Sequence, residues 1–192
     1  MTMPLQVEAR TAPFPHATST SFLSPADAED VLTWLEIDAP WTLRVEDFYE
    51  QHECALDVET LPQHLHQLVC QEAVASYAEG MFGTAGEALK LVSATAHRLS
   101  GGQSIRIHND YLEGEETHRL IVQLNRGGAD ENGGFLMLFS SADAADVARI
   151  IRPVHRSAVA FEISRQSYHA VSPTTRGHRY TLVFSYRRRS TS

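Results

Sequence analysis

The sequence predicts an α+β chain that is mostly β: a jelly-roll sheet pair backed by N-terminal helices. Hydrophobic periodicity is helical up to about residue 82 and then switches to a period of two. The second half holds seven or eight short alternating stretches separated by glycine pairs. Runs of helix followed by runs of strand with Gly-rich turns favour a jelly roll. The length of 192 residues suits one domain. Its expected divisions are an extended arm over 1–20 and a single domain over 21–192, with helical support at 24–82 and a jelly-roll core at 89–186.

The first 20 residues are rich in Pro, Thr and Ala and show no period. "SPADAEDVLTWLE" then opens a helix, with Ser24 as N-cap, Pro25 at the first helical position, and Asp27 and Glu29 in the first turn. Val31, Leu32 and Leu35 form its apolar stripe. "APWTLRVEDFYEQ" reads as a turn and a short extended piece. A second helix is expected from about Pro62 to Met81, where Leu65, Leu68, Val69, Ala73, Val74 and Tyr77 recur at helical spacing. Seven stretches then read as strands: "LKLVSATAHRL", "QSIRIH", "THRLIVQLN", "GGFLMLFS", "AVAFEIS", "SYHAVS" and "HRYTLVFSY". Gly101–Gly102, Gly127–Gly128, Gly133–Gly134 and Gly177 mark turns between them. "ADAADVARII" is expected as one helical interruption.

Apolar content of 43% and charged content of 21% are ordinary for a globular protein. A net charge of −8 argues against a nucleic-acid binder, which needs clustered Lys and Arg. The basic cluster Arg187–Arg189 is expected as a solvated, frayed end. Cys54 and Cys70 lack a metal-type spacing, and Cys70 falls in the apolar pattern of the second helix as a small buried hydrophobe. No run of about 18 apolar residues predicts a membrane span. The N-terminus lacks the build of a secretory signal, so the cytoplasm is the expected location.

His108 and Asp110 stand two apart near a strand end, which aims a nitrogen and an oxygen at one point. Alone, the pair is better read as a histidine hydrogen-bonded to a carboxylate. His169, at the end of a late strand, can return beside them in an antiparallel jelly roll and complete a two-histidine, one-carboxylate face, the ferrous triad with open positions. Ten residues on, past Pro173 and Gly177, comes Arg179 on the next strand. Its guanidinium suits a dicarboxylic co-substrate, and Thr181 shares its face and can donate a second bond. An ordinary strand-surface arginine is the alternative reading of Arg179.

His108-x-Asp110, His169 within "SYHAVSP" and Arg179 within "GHRYTL" resemble the iron(II)- and 2-oxoglutarate-dependent dioxygenases, in particular the prolyl 4-hydroxylase-like branch. "QLNRGGADENGGFLMLF" is similar to that branch's Leu-Asn strand, loop and Gly-Gly-x-Leu strand. The resemblance covers residues 98–186. It implies a double-stranded β-helix, with Fe(II) on His108, Asp110 and His169 and the distal carboxylate of 2-oxoglutarate on Arg179 and Thr181. It further implies dioxygen as oxidant, ascorbate as a candidate stimulant, and release of succinate and CO2. Many members of the branch carry tyrosines near the co-substrate, on the strand before His-x-Asp and on the Leu-Asn strand. "HRLSGGQ" and "RLIVQLN" have none, which leaves the remaining contacts unassigned. Related halogenases replace the aspartate with a small residue, so Asp110 disfavours halogenation.

Arg119 reads either as a contact for an acidic substrate group or as a salt-bridge partner. His178 faces away from Arg179 and is rejected as a ligand, and His64 and His66 read as surface histidines. Trp34, Trp41, Phe48 and Tyr49 could line a substrate mouth, though core packing is the commoner fate of aromatics. Glu113, Glu115 and Glu116 read as a solvated loop that could act as a lid. Three functions fit these residues: an oxygenase hydroxylating a small molecule or natural-product intermediate, a peptidyl (prolyl-type) hydroxylase, and a cupin-like metal-binding protein without turnover.

Overall fold

The structure is a computed structural model that describes residues 5–127 and 130–189. The chain starts with strands β1 (Glu8–Arg10) and β2 (His16–Ser19), followed by helix α1 (Pro25–Ile37) and the hairpin β3 (Thr42–Glu46) and β4 (Tyr49–Ala55). A 3-10 turn over Gln63–Leu68 precedes helix α2 (Gln71–Phe82), and a second one over Gly83–Ala88 follows it. The remaining strands are β5 (Leu89–Ser100), β6 (Ile105–His108), β7 (His118–Leu124), β8 (Leu136–Phe139), β9 (Val147–Ile151), β10 (Ala158–Glu162), β11 (His169–Val171) and β12 (His178–Arg188). All pair antiparallel in the order β1-β2-β10-β7-β12-β5-β4-β6-β11-β8-β9, with β3 on β4. This is the jelly roll expected from the sequence.

Alternation along β7 and β12 separates two apolar layers. Leu120, Val122, Leu124, Leu182 and Phe184 face the helices, where Leu32 and Leu35 of α1 and Ala78 and Met81 of α2 meet them. Ile121 and Val183 face inward with Leu99, Leu136, Leu138 and Phe161. Truncating a fully buried leucine such as Leu32 or Leu120 would cost about 2–5 kcal/mol. The polar residues interleaved on the inner face form the site. Ser24 caps α1 as expected, accepting from the Asp27 amide at 3.1 Å.

Several elements differ from expectation. The lead-in read as an arm supplies two strands, and β2 pairs with β10 from Phe161↔His16 to Ala158↔Ser19. "APWTLRVEDFYEQ" holds both strands of a hairpin, turning at Asp47–Phe48 with no glycine to announce it. The second helix is broken at Val69–Cys70. A 3-10 turn carrying Leu65 and Leu68 and a helix carrying Val74, Ala78 and Met81 satisfy the same apolar spacing, so periodicity alone could not reveal the break. Cys70 is consequently exposed at the helix start rather than buried, whereas Cys54 is buried. "ADAADVARII" is not helical. Ser141 and Asp143 side chains accept from the backbone amides of Asp143 and Ala145 at 3.0 and 2.8 Å, and the β-branched run that follows becomes β9. The basic cluster is not a frayed end either: β12 runs through Arg188, and Arg187 reaches Glu115 at 3.1 Å. Gly128, half of one expected turn, lies outside the described residues. Among the described residues no helix is long and apolar enough to cross a membrane.

Candidate active site

The two imidazoles meet because of strand register. His169 opens β11 directly opposite His108, the last residue of β6, and the ring centroids lie 4.2 Å apart. Each Nδ1 lies 2.8 Å from a backbone carbonyl two residues back, Arg106 for His108 and Ser167 for His169. A carbonyl only accepts, so each Nδ1 carries the proton and each Nε2 presents a lone pair. Asp110 Oδ1 is 3.3 Å from His108 Nε2, and Oδ2 is 3.2 Å from His169 Nε2. The three ligand-type atoms all lie within 4.8 Å of one another, the spacing a single ion needs.

Asp110 arrives by a route the strand rule did not foresee. The strand ends at His108, and Asp110 adopts a left-handed φ of 57°, a conformation in which aspartate is tolerated. Asn109 pins the bend: its Nδ2 donates to Arg165 O at 3.2 Å, its Oδ1 accepts from Tyr111 N at 3.1 Å, and its own carbonyl accepts from Ser167 Oγ at 2.9 Å. The fold holds a strained residue here because neighbouring groups fix it from several sides.

Arg119 sits behind the carboxylate, with Nη1 2.7 Å from Asp110 Oδ2 and Nη2 2.5 Å from Glu116 Oε2. Burial works against each charge in this group. The two carboxylates nevertheless raise Arg119 above its usual range, and Arg119 holds Asp110 well below its own. Arg119 is thus engaged as a salt-bridge partner rather than held free for an acidic substrate group.

Arg179 is the opposite case. It is 5% exposed, and neither Nε nor Nη2 has a partner. Burial pushes it down to about 10. Its side chain passes over Gly134, where a Cβ would lie 2.8 Å from Arg179 Cδ, so that position excludes any larger residue. Arg179 and Thr181 line the same cavity of about 330 Å³ as His108, Asp110 and His169. An outer vestibule of about 490 Å³, walled by Phe48, Tyr111, Leu112, Glu115 and Tyr168, opens onto the metal face. Phe48, at the tip of the β3–β4 hairpin, lies over His108 with centroids 4.4 Å apart.

Trp34 is buried in the helix-side core, and Trp41 packs on Tyr180. His178 is exposed, as is His64, and His66 bonds Leu61 O at 2.9 Å. His118 is buried on the helix side against Phe82. Sequence reasoning missed Gln51, Glu53 and His97, which line the cavity. The alternation of Tyr49, Gln51 and Glu53 along β4 was the available signal, obscured because that strand was not separated from β3.

Two imidazole nitrogens and a carboxylate converging on one point fit a divalent metal, and a buried guanidinium that pairs with no carboxylate fits a diacid. Residues 94–187 match the 2OG-Fe(II) oxygenase superfamily. The chain carries a 2OG-Fe(II) oxygenase domain. Enzymes of this class use Fe(II), 2-oxoglutarate and O2, and the oxygenase is one of them.

No curated protein sequence matches the oxygenase. Among solved structures it is similar to a Pseudomonas putida prolyl-4-hydroxylase, at 20% identity and TM-score 0.73, over 91% of this chain and 92% of the other. A Trichoplax adhaerens prolyl hydroxylase in complex with a hypoxia inducible factor peptide fragment matches at 15% identity and TM-score 0.68, over 89% and 82%. The non-heme alpha ketoglutarate dependent epimerase SnoN from nogalamycin biosynthesis matches at 12% identity and TM-score 0.65, over 91% and 80%. These likenesses establish a shared fold.

Proposed function

We propose that the oxygenase hydroxylates a small molecule, with Fe(II) held by His108, Asp110 and His169, and 2-oxoglutarate anchored through Arg179 and Thr181. The observation that carries this reading is the pairing of three convergent ligand atoms with an uncompensated buried guanidinium in one cavity. When bound, iron and 2-oxoglutarate supply the oxidising chemistry: one atom of O2 enters the substrate C–H bond and the other enters succinate, as CO2 leaves.

The chain's own groups bind, orient and shield. The backbone bonds to both Nδ1 atoms keep His108 and His169 in the ligand tautomer. Arg119 keeps Asp110 ionised and aimed, and Arg179 selects a ligand with a far carboxylate. Phe48 narrows the opening over His108 and limits water entry. A cavity of about 330 Å³ that also takes a five-carbon diacid leaves room for a compact substrate. A peptidyl hydroxylase is the second reading, favoured by the outer vestibule, which could hold residues flanking a target side chain.

The test is anaerobic addition of Fe(II) and 2-oxoglutarate, followed by oxygen. A visible charge-transfer band and Fe(II)-dependent succinate formation are expected, both lost in Asp110→Ala. Metal binding indifferent to 2-oxoglutarate, and unchanged in Arg179→Ala, would instead indicate a non-catalytic cupin-like protein. Mass gain on a peptide panel, with no turnover of small molecules, would favour the second reading.

A further inference from the structure

One polar row crosses the inner face of the sheet at right angles to the strands. Gln123 on β7 is opposite Thr181 on β12, Thr181 is opposite His97 on β5, and His97 is opposite Glu53 on β4. Residues directly opposite in an antiparallel pair share a face and lie about 5 Å apart. Arg179 is two residues from Thr181 and so belongs to the next row on the same face.

Two members of the row, Gln123 and His97, hold a donor with no partner. Gln123 is 0% exposed, and neither its Nε2 nor its Oε1 has a partner, which is costly for an amide unless a polar group arrives. His97 lines the cavity, and burial pushes it down to about 4, so it is neutral. Gln51 Nε2 lies 3.2 Å from His97 Nδ1. An amide nitrogen only donates, so Nδ1 accepts and the ring proton sits on Nε2. The same Gln51 nitrogen donates to Glu53 Oε1 at 2.9 Å, and that oxygen also accepts from Tyr49 OH at 3.2 Å. The β4 strand thereby fixes the His97 tautomer and leaves Nε2–H as its free donor.

We propose that Gln123, Thr181 and His97 form the neutral part of the co-substrate cradle, each donating to the carboxylate that Arg179 pairs with, and that Gln51 and Glu53 are positioning residues for His97. This rests on Arg179 as the diacid anchor. A single guanidinium balances a single carboxylate, and neutral donors add hydrogen bonds without burying further charge.

The experiment measures ligand binding, with no turnover, by isothermal titration of the full chain loaded with Mn(II). The ligands are 2-oxoglutarate and 2-oxopentanoate, which keeps the chelating end and chain length but has a methyl in place of the far carboxylate. His97→Phe and Gln123→Met should each weaken 2-oxoglutarate by roughly ten- to a hundredfold and leave 2-oxopentanoate unchanged. His97→Gln, which retains a donor, should recover part of the loss. Gln51→Leu should weaken only the diacid, and Gln123→Glu should abolish its binding by repulsion while sparing the monoacid. Equal loss for both ligands, or no loss for either, overturns the proposal. Full diacid affinity in Arg179→Met would overturn the underlying anchor itself, a separate result from failure of the row alone.

Discussion

Replacing Arg179 with Met should stabilise the ligand-free protein while removing its affinity for 2-oxoglutarate. Burial lowers the guanidinium from 12.5 to about 10. That gap of roughly 2.5 pH units corresponds to about 3 kcal/mol of unfavourable burial. Because the folded value lies below the unfolded one, the penalty is present in full at neutral pH, where both states are charged. It is relieved only as pH rises through about 10. Methionine fills similar space past Gly134 without a charge, so a Tm rise on the order of 6–12 °C is expected for a chain of this size. Wild type should recover that deficit when Mn(II) and 2-oxoglutarate are added, gaining about 3–4 kcal/mol at 100 to 1,000 times Kd. Thermal melts of both proteins with and without the ligand pair make the measurement. If Arg179→Met melts no higher than wild type and still gains stability from the diacid, the reasoning about this side chain is wrong.

Asp110→Ala should abolish metal binding, read by metal content after dialysis. It should also destabilise the apo fold by about 2–3 kcal/mol, at the low end for a broken buried pair because Glu116 still faces Arg119. Adding Arg119→Met should restore stability but not metal. Gly134→Ala should cost about 1–2 kcal/mol at its φ of 70° and weaken 2-oxoglutarate, since the new Cβ would lie 2.8 Å from Arg179 Cδ; unchanged binding would mean the arginine can take another path. His118, 1% exposed, is pushed by burial from 6.5 to about 4, so the unfolded chain binds the extra proton first. Stability should fall by about 3 kcal/mol as pH drops through that window, and His118→Phe should flatten this part of a denaturation-versus-pH series.

The jelly roll and the convergence of His108, Asp110, His169 and Arg179 were legible because strand alternation and chain order encode them. What escaped the sequence lies in places where local patterns are degenerate. An i, i+3 spacing cannot distinguish the 3-10 turn at Leu65–Leu68 from the first turns of α2, which misplaced Cys70. Ser141 and Asp143 redirect a helix-like alanine run through side-chain bonds that periodicity does not register. Asp110 reaches its neighbours through a bend rather than a strand, so the right pairing followed from an incomplete reason. His97 and Gln123 became visible only once the register set them either side of Thr181.

The direct opposition of His108 and His169 across β6 and β11 has a consequence for biogenesis. Sixty residues of intervening chain, through β7 to β10, have to be synthesised and folded before the second imidazole can take its place. Until then a nascent polypeptide presents only two of the three proposed ligands, too few to capture ferrous ion tightly. Metal loading is thereby deferred until the barrel closes, which keeps a reactive ion away from an unfinished chain.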